Sequence, residues 1–214
     1  GARFWREWML LGRAHEKALP MQSEETAPAI GIVYEDDDML VINKPARLGS
    51  VPGVRETVSA KSILEKTHGE LFVVHRLDLD TSGILAFAKN KTALARMNDC
   101  FRGREAKKTY VARLEGELKH DSGDIALPLG LNWLDRPRQC IIPASCGGKN
   151  ALTHYRLIDS IECGGMRKSI VELGLETGRT HQLRLHCAKG LNLPIDGDPF
   201  YGSMGLMAES GSTR

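Results

Sequence analysis

From Gly31 onward the chain is interrupted every few residues by turn-forming types, and the apolar runs between them are long enough only for strands and brief helices. Gly31 to Tyr34 and Met39 to Asn43 are strand-length runs joined by the acidic turn Glu35-Asp36-Asp37-Asp38, which reads as a hairpin. Lys44-Pro45 ends the second run. The loop Gly49 to Gly53, with Pro52 inside it, precedes an apolar-spaced helix over about Val58 to Lys66. Strand-like Phe72 to Val74, a polar segment and strand Ile84 to Ala88 follow. A helix comes next, from about Lys91 to Phe101, with Leu94, Met97 and Phe101 at i, i+3 and i+7. The second half adds β runs at Thr109 to Leu114, Arg138 to Ile142, Leu152 to Ile158 and Ser169 to Leu175. A last helix opens at Thr180, an N-cap residue type, and runs through His186 toward Gly190. Successive strands with only about three helices specify an α+β domain on a mixed, largely antiparallel sheet, not a doubly wound parallel one.

Composition narrows the class of protein. With 214 residues, 42% hydrophobic and 26% charged, the chain has room for a core and matches no disordered, collagenous or coiled-coil composition. Its 29 Lys and Arg against 27 Asp and Glu leave a net charge of +2, so any anionic partner must be met by a local patch. Apolar runs such as Ile84 to Ala88 fall far short of the roughly 20 residues that span a bilayer. Five cysteines without a C-x-x-C pair read as reduced, mostly buried thiols of a cytoplasmic protein. Cys140, Cys146 and His154 do not have the spacing of a common zinc site, and no metal is expected. Residues 3 to 19 can be drawn as a helix with Phe4, Trp8 and Leu11 on one side and Arg3, Arg6, Arg13 and Lys17 elsewhere. Transit peptides look like this, but Glu7 and Glu16 count against organelle targeting. Residues 1–26 are therefore read as a loosely ordered N-terminal extension and 27–214 as the folded domain.

Three clusters carry reactive side chains. His75-Arg76-Leu77-Asp78-Leu79-Asp80-Thr81-Ser82-Gly83 lies between two strand-like runs, where catalytic loops are often found. On residue types alone, Asp78 and Asp80 are a general acid and base, or Ser82 is a nucleophile, or the segment is a hydrogen-bonded turn, the commoner use of such residues. Glu176 to His186 places Arg179, His181, Arg184 and His186 around the mouth of the last helix, whose N-terminus attracts anions; the alternative is a solvated helix face. Arg102, Arg104, Lys107 and Lys108, followed by Tyr110, form a basic stripe with an aromatic, either a phosphate-tracking surface or another solvated face.

Taken together, the three clusters resemble one family. His75 to Gly83 resembles the H-R-L-D-x-x-T-S-G signature of the pseudouridine synthases of the RluA family. Lys107 to Ala112 resembles its K-x-Y-x-A strand, and Thr177 to His186 its T-G-R-T-H-Q-x-R-x-H segment. The similarity runs from Asn43-Lys44-Pro45 to Gly197-Asp198-Pro199-Phe200-Tyr201-Gly202, and Ser50-Val51-Pro52-Gly53 and Arg136-Pro137-Arg138-Gln139 look most like the RluA branch itself. The resemblance implies an isomerase that acts, as a monomer and without a cofactor, on a uridine in a ribosomal or transfer RNA loop. It makes Asp78 the catalytic aspartate, Tyr110 the tyrosine beside the target base, Arg184 the basic partner of Asp78, and Arg76 the occupant of the space left by a flipped nucleotide. Arg102, Arg104, Lys107, Lys108, Arg179 and His181 are then RNA-binding. Family members continue past Asp198 to Gly202 with a further strand, so the resemblance also implies that the domain is incomplete at Arg214.

This assignment has a chemical rationale. A ribose carbon losing its base gains oxocarbenium character, which an ionised carboxylate stabilises, and an arginine within hydrogen-bond reach favours and orients the charged form. A uridine cannot react inside a stack and must be extruded. Two other readings stay open at this stage: a noncatalytic RNA-binding protein or chaperone that keeps the fold, and a glycosidic-bond hydrolase with Asp78 and Asp80 as its carboxylate pair.

Overall fold

A computed structural model describes residues 28–53 and 58–203. The helix expected over residues 3–19, the whole of the proposed N-terminal extension and the chain end at Arg214 lie outside them. Strands β1 (Gly31–Glu35), β2 (Met39–Lys44), β3 (Phe72–Val73) and β4 (Gly83–Ala88) form one antiparallel sheet in the order β1-β2-β4-β3. Helix α1 (Ala60–His68) starts where Ser59 and Ser62 cap each other, each side chain accepting from the other's backbone N–H. It ends at Gly69, whose φ of 75° suits glycine. Helix α2 (Lys91–Arg102) is capped by the Asn90 side chain, which accepts from Ala93 N at 2.8 Å.

Alternation along β2 turns Leu40, Ile42 and Lys44 to one face. Leu40 and Ile42 join Leu85 and Phe87 of β4 and Leu64 of α1 in a core where each such side chain contributes about 1.5–3 kcal/mol by leaving water. The second sheet comprises β5 (Lys108–Arg113), β6 (Ser122–Ile125), β9 (Thr153–Cys163) and β10 (Met166–Leu175), also antiparallel, in the order β5-β10-β9-β6. Between β6 and β9 lies a small hairpin of β7 (Leu129–Leu131) and β8 (Gln139–Ile141). Val171, Leu173 and Leu114 form the centre of this half, and Tyr110 of β5 packs against both cores.

The α+β class and antiparallel pairing are as the patterning predicts, but the strands divide into two four-stranded sheets. Strands β6 and β7 were not legible: Ser-Gly-Asp-Ile and Leu-Gly-Leu have little β character of their own, and pairing with β9 and β8 decides their state. The last helix differs most from its reading. His181 has a left-handed backbone (φ 53°), so helix α3 spans only Gln182–Leu185 before wider π-helical turns carry His186–Leu191. The cap expected of Thr180 is absent: no side chain caps α3, and the Gln182 carbonyl instead braces the preceding loop, accepting from Arg179 N (3.0 Å) and the Thr177 hydroxyl (2.8 Å). The cysteines also need correction. Cys187 alone is buried, its thiol pushed by burial up to about 12, whereas Cys100, Cys146 and Cys163 are exposed because helix, turn and strand-end geometry face them outward.

Candidate active site

The segment between β3 and β4 carries Asp78, and its neighbours on either side are fixed to the core. Ser50 Oγ donates to Leu77 O (2.8 Å) and accepts from Leu77 N (3.0 Å), while the Leu77 side chain is buried. Lys44, inward-facing and fully buried, donates from Nζ to Leu79 O (3.2 Å) and to Pro45 O (2.9 Å) and Leu48 O (2.6 Å). Burial lowers the Lys44 pKa; the nearby carboxylates of Asp80 and Asp78 oppose that shift. One residue before the loop's arginine, His75 Nε2 accepts from Ala86 N (3.1 Å) and its ring stacks on Phe101 at 5.1 Å. Burial, with Lys108 adding to it, lowers the His75 pKa, so its imidazole is neutral. Asp78 O also accepts from Thr81 N at 3.1 Å, so the turn reading of this segment is correct as local geometry.

Arg184 reaches Asp78 from the opposite side. Its Nε and Nη2 donate to the two carboxylate oxygens of Asp198, both at 2.7 Å, and Nη1 donates to Asp78 Oδ2 at 3.3 Å. The guanidinium lies 4.9 Å from the Phe200 ring centroid and 5.3 Å from that of Tyr201. Asp198 Oδ1 additionally accepts from the backbone N–H groups of Phe200 (2.8 Å) and Tyr201 (3.0 Å). Burial pushes the Asp198 carboxyl up, and the Arg184 guanidinium with the two amides outweighs it, holding the pKa below the ordinary range. The side-chain exposures rank the roles: Asp198 at 3% and Arg184 at 15% are internal, whereas Asp78 at 36% stays open to a ligand. A planar fork held by one carboxylate thus presents its remaining edge to another. Burial, then the negative charge of Asp78, raises the Tyr110 pKa, which keeps its phenol protonated.

The other predicted residues are spread more widely. Arg76 is exposed, beside the buried Leu77. His181 lies with its Nε2 4.0 Å from Asp78 Oδ2. Arg179 is exposed, with Nε donating to Asn150 O at 3.2 Å, and Arg102 pairs with Asp99 on the outer face of α2. Arg104 lines a cavity of about 300 Å³ with Asn150, Glu176 and Thr177. Lys107 is exposed, and Lys108 Nζ lies 6.0 Å from the Phe101 ring centroid. The structure therefore joins Asp78, Tyr110, Arg184 and His181 and leaves the basic stripe outside that group.

Sequence reasoning did not give roles to Lys44, Ser50, Asp198 or Tyr201. For Lys44 the signal was present, a lysine at the same parity as Leu40 and Ile42 in a strand. For Asp198, an acidic residue just before an aromatic pair reads equally as a turn residue. His186 belongs elsewhere: Nε2 donates to Leu127 O (3.0 Å) and Nδ1 accepts from the Thr153 hydroxyl (2.9 Å), a buried structural link.

A sequence model of the family described as RNA pseudouridylate synthase matches residues 38–189, which include Asp78, Tyr110 and Arg184. The chain belongs to this family. As a pseudouridine synthase it is an isomerase acting on RNA. It is 41% identical over 179 residues to the dual-specificity RNA pseudouridine synthase RluA of Vibrio vulnificus (strain CMCP6), covering 82% of this chain and 70% of that one. With the Escherichia coli (strain K12) enzyme of the same description it shares 39% identity over 178 residues, covering 82% of this chain and 78% of the other. Among solved structures, human RNA pseudouridylate synthase domain containing 1 superposes with a TM-score of 0.72 at 31% identity, covering 86% and 74% of the two chains. Human RNA pseudouridylate synthase domain containing 4 gives 0.66 at 28%, covering 81% and 69%. No helix among the described residues is long and apolar enough to cross a membrane.

Proposed function

We propose that this synthase isomerises a specific uridine in a ribosomal and/or transfer RNA loop, as a cytoplasmic monomer, with Asp78 as the catalytic aspartate. The observation that carries the reading is the open Asp78 carboxylate on a doubly anchored loop, contacted by an arginine that Asp198 holds from behind. The same pairing favours it over the hydrolase reading, since Arg184 contacts Asp78 and no such partner faces Asp80 among the described hydrogen bonds and ion pairs. The similarity to enzymes named dual-specificity supports a substrate range of more than one RNA.

In this reading the N1–C1′ bond of the target breaks, uracil turns in place, and a C5–C1′ bond forms; the proton lost at C5 is balanced by one gained at N1. Asp78 stabilises the positive charge that develops on the sugar, oriented by Arg184. Extruding the nucleotide costs a few kcal/mol, offset by stacking on Tyr110, with Arg76 filling the vacated space. Arg102, Arg104, Lys107, Lys108 and Arg179 contact phosphates on the flanking strand.

Pseudouridine mapping of RNA from cells with and without the gene tests this. At least one transfer or ribosomal RNA loop position is expected to revert to uridine, and purified protein to restore it. An unchanged map overturns the proposal, as does release of free uracil, which marks a hydrolase, or binding of that RNA without isomerisation.

A further inference from the structure

His181 occupies a position where its backbone argues for glycine, and its ring is nevertheless enclosed. Its φ of 53° lies in the left-handed region, disfavoured for any residue with a Cβ. Its side chain is only 9% exposed, between the Phe200 ring (centroids 5.6 Å apart) and the Tyr201 ring (5.7 Å, edge-on). A side chain so placed has little surface to offer a phosphate.

The hydrogen bonds around the ring define its tautomer. Tyr201 Oη accepts from Gln139 N at 2.7 Å, leaving its own proton free for His181 Nδ1, 2.9 Å away. Burial keeps the Tyr201 phenol protonated by raising its pKa, and lowers that of His181. The charged groups around the imidazole are Asp78, Arg184 and Asp198. With Nδ1 accepting, the ring proton sits on Nε2, which faces Asp78 Oδ2 at 4.0 Å, the same oxygen that Arg184 Nη1 contacts. Contacts of this length in a free enzyme tighten when substrate closes the site.

We propose that His181 is a positioning residue for Asp78: the Tyr201 hydroxyl orients the imidazole so that its Nε2–H, with Arg184, fixes the carboxylate oxygen that faces the sugar. Because Tyr201 also takes the Gln139 N–H, the chain of contacts ties the β7–β8 hairpin to the carboxylate. The inference rests on the reading of Asp78 as the catalytic aspartate.

The test compares the full chain with H181A, H181Q, Y201F and D78N, using RNA from cells lacking the gene, tritiated at uracil C5. Single-turnover tritium release gives the rate and filter binding the affinity. His181→Ala is expected to slow release roughly 10- to 100-fold by misplacing the carboxylate, with affinity within about twofold. His181→Gln keeps an amide donor and is expected to recover to within about fivefold of the parent. Tyr201→Phe keeps the ring and is expected to slow release about 3- to 10-fold at unchanged affinity, which decides the matter if His181→Ala does not fold. Affinity falling in step with rate in His181→Ala marks direct RNA contact and overturns the inference. So does a Gln variant that folds yet is as slow as the Ala variant, or full activity in Tyr201→Phe. Should Asp78→Asn keep its activity, the reading of Asp78 itself fails; a dead Asp78→Asn beside fully active His181 variants sinks only the positioning role.

Discussion

A buried ammonium survives at position 44 because three carbonyls surround it and two carboxylates lie nearby, so the desolvation that would expel it is largely offset. The proposed use of that arrangement is to hold Leu79 O, one residue past Asp78. Replacing Lys44 by Met keeps the length and removes the donors. Each orphaned carbonyl costs about 1–3 kcal/mol, reduced by relief of the buried charge, so the net loss of stability is expected near that of one such group. Urea unfolding measures it, and the rate is expected to fall more than RNA affinity does; a variant as stable and as fast as the parent would contradict the anchor. At this scale the chemistry was readable from sequence and its support was not. Asp78, Tyr110 and Arg184 stood out through motif resemblance, whereas the two-point grip of Asp198 on Arg184 joins residues whose relation depends on how the turn after α3 folds back.

Elements were legible wherever their own periodicity matched their final surroundings. The β1–β2 hairpin, β4 and α2 fall within a residue or two of their expected bounds, since each has its own turn or cap signal. The short strands β6 and β7 and the interrupted α3 depend on partners far along the chain, which a local pattern does not contain. The Asp78 loop is an element of this second kind. Ser50, 27 residues away, satisfies both backbone groups of Leu77. Ser50→Ala leaves a buried N–H and C=O unpaired at about 1–3 kcal/mol each, and hydrogen exchange at Leu77 is expected to accelerate while exchange in β9 and β10 stays near the parent's. Uniform acceleration across both sheets would show that the serine supports the whole fold and not the loop.

Across the whole molecule, the core under the first sheet and the core under the second meet at Tyr110, so the site lies where both halves contribute side chains. Burial lowers the pKa of His75, His181 and His186 below the ordinary 6.5. An unfolded chain takes up protons at these positions before the folded one does. Their stabilising contribution is thus complete above about pH 7 and is lost as pH falls through 6.5 toward the lower folded values. His154, whose pKa is raised by its bond to Asp124, has the opposite sign, but it is exposed and screened. The melting temperature is expected to fall between pH 7.5 and about 5.5; a flat or rising profile contradicts the buried neutral imidazoles. The central claim is that an open, arginine-held carboxylate at position 78 performs the isomerisation. Asp78→Asn preserves the shape and removes the charge, and it is measured best by single-turnover formation of pseudouridine in the mapped target RNA, with affinity for that RNA determined alongside. The rate is expected to fall at least about 10³-fold, a loss of about 4 kcal/mol in transition-state stabilisation, with affinity within about threefold of the parent. A variant that forms pseudouridine at a rate near the parent's contradicts that claim.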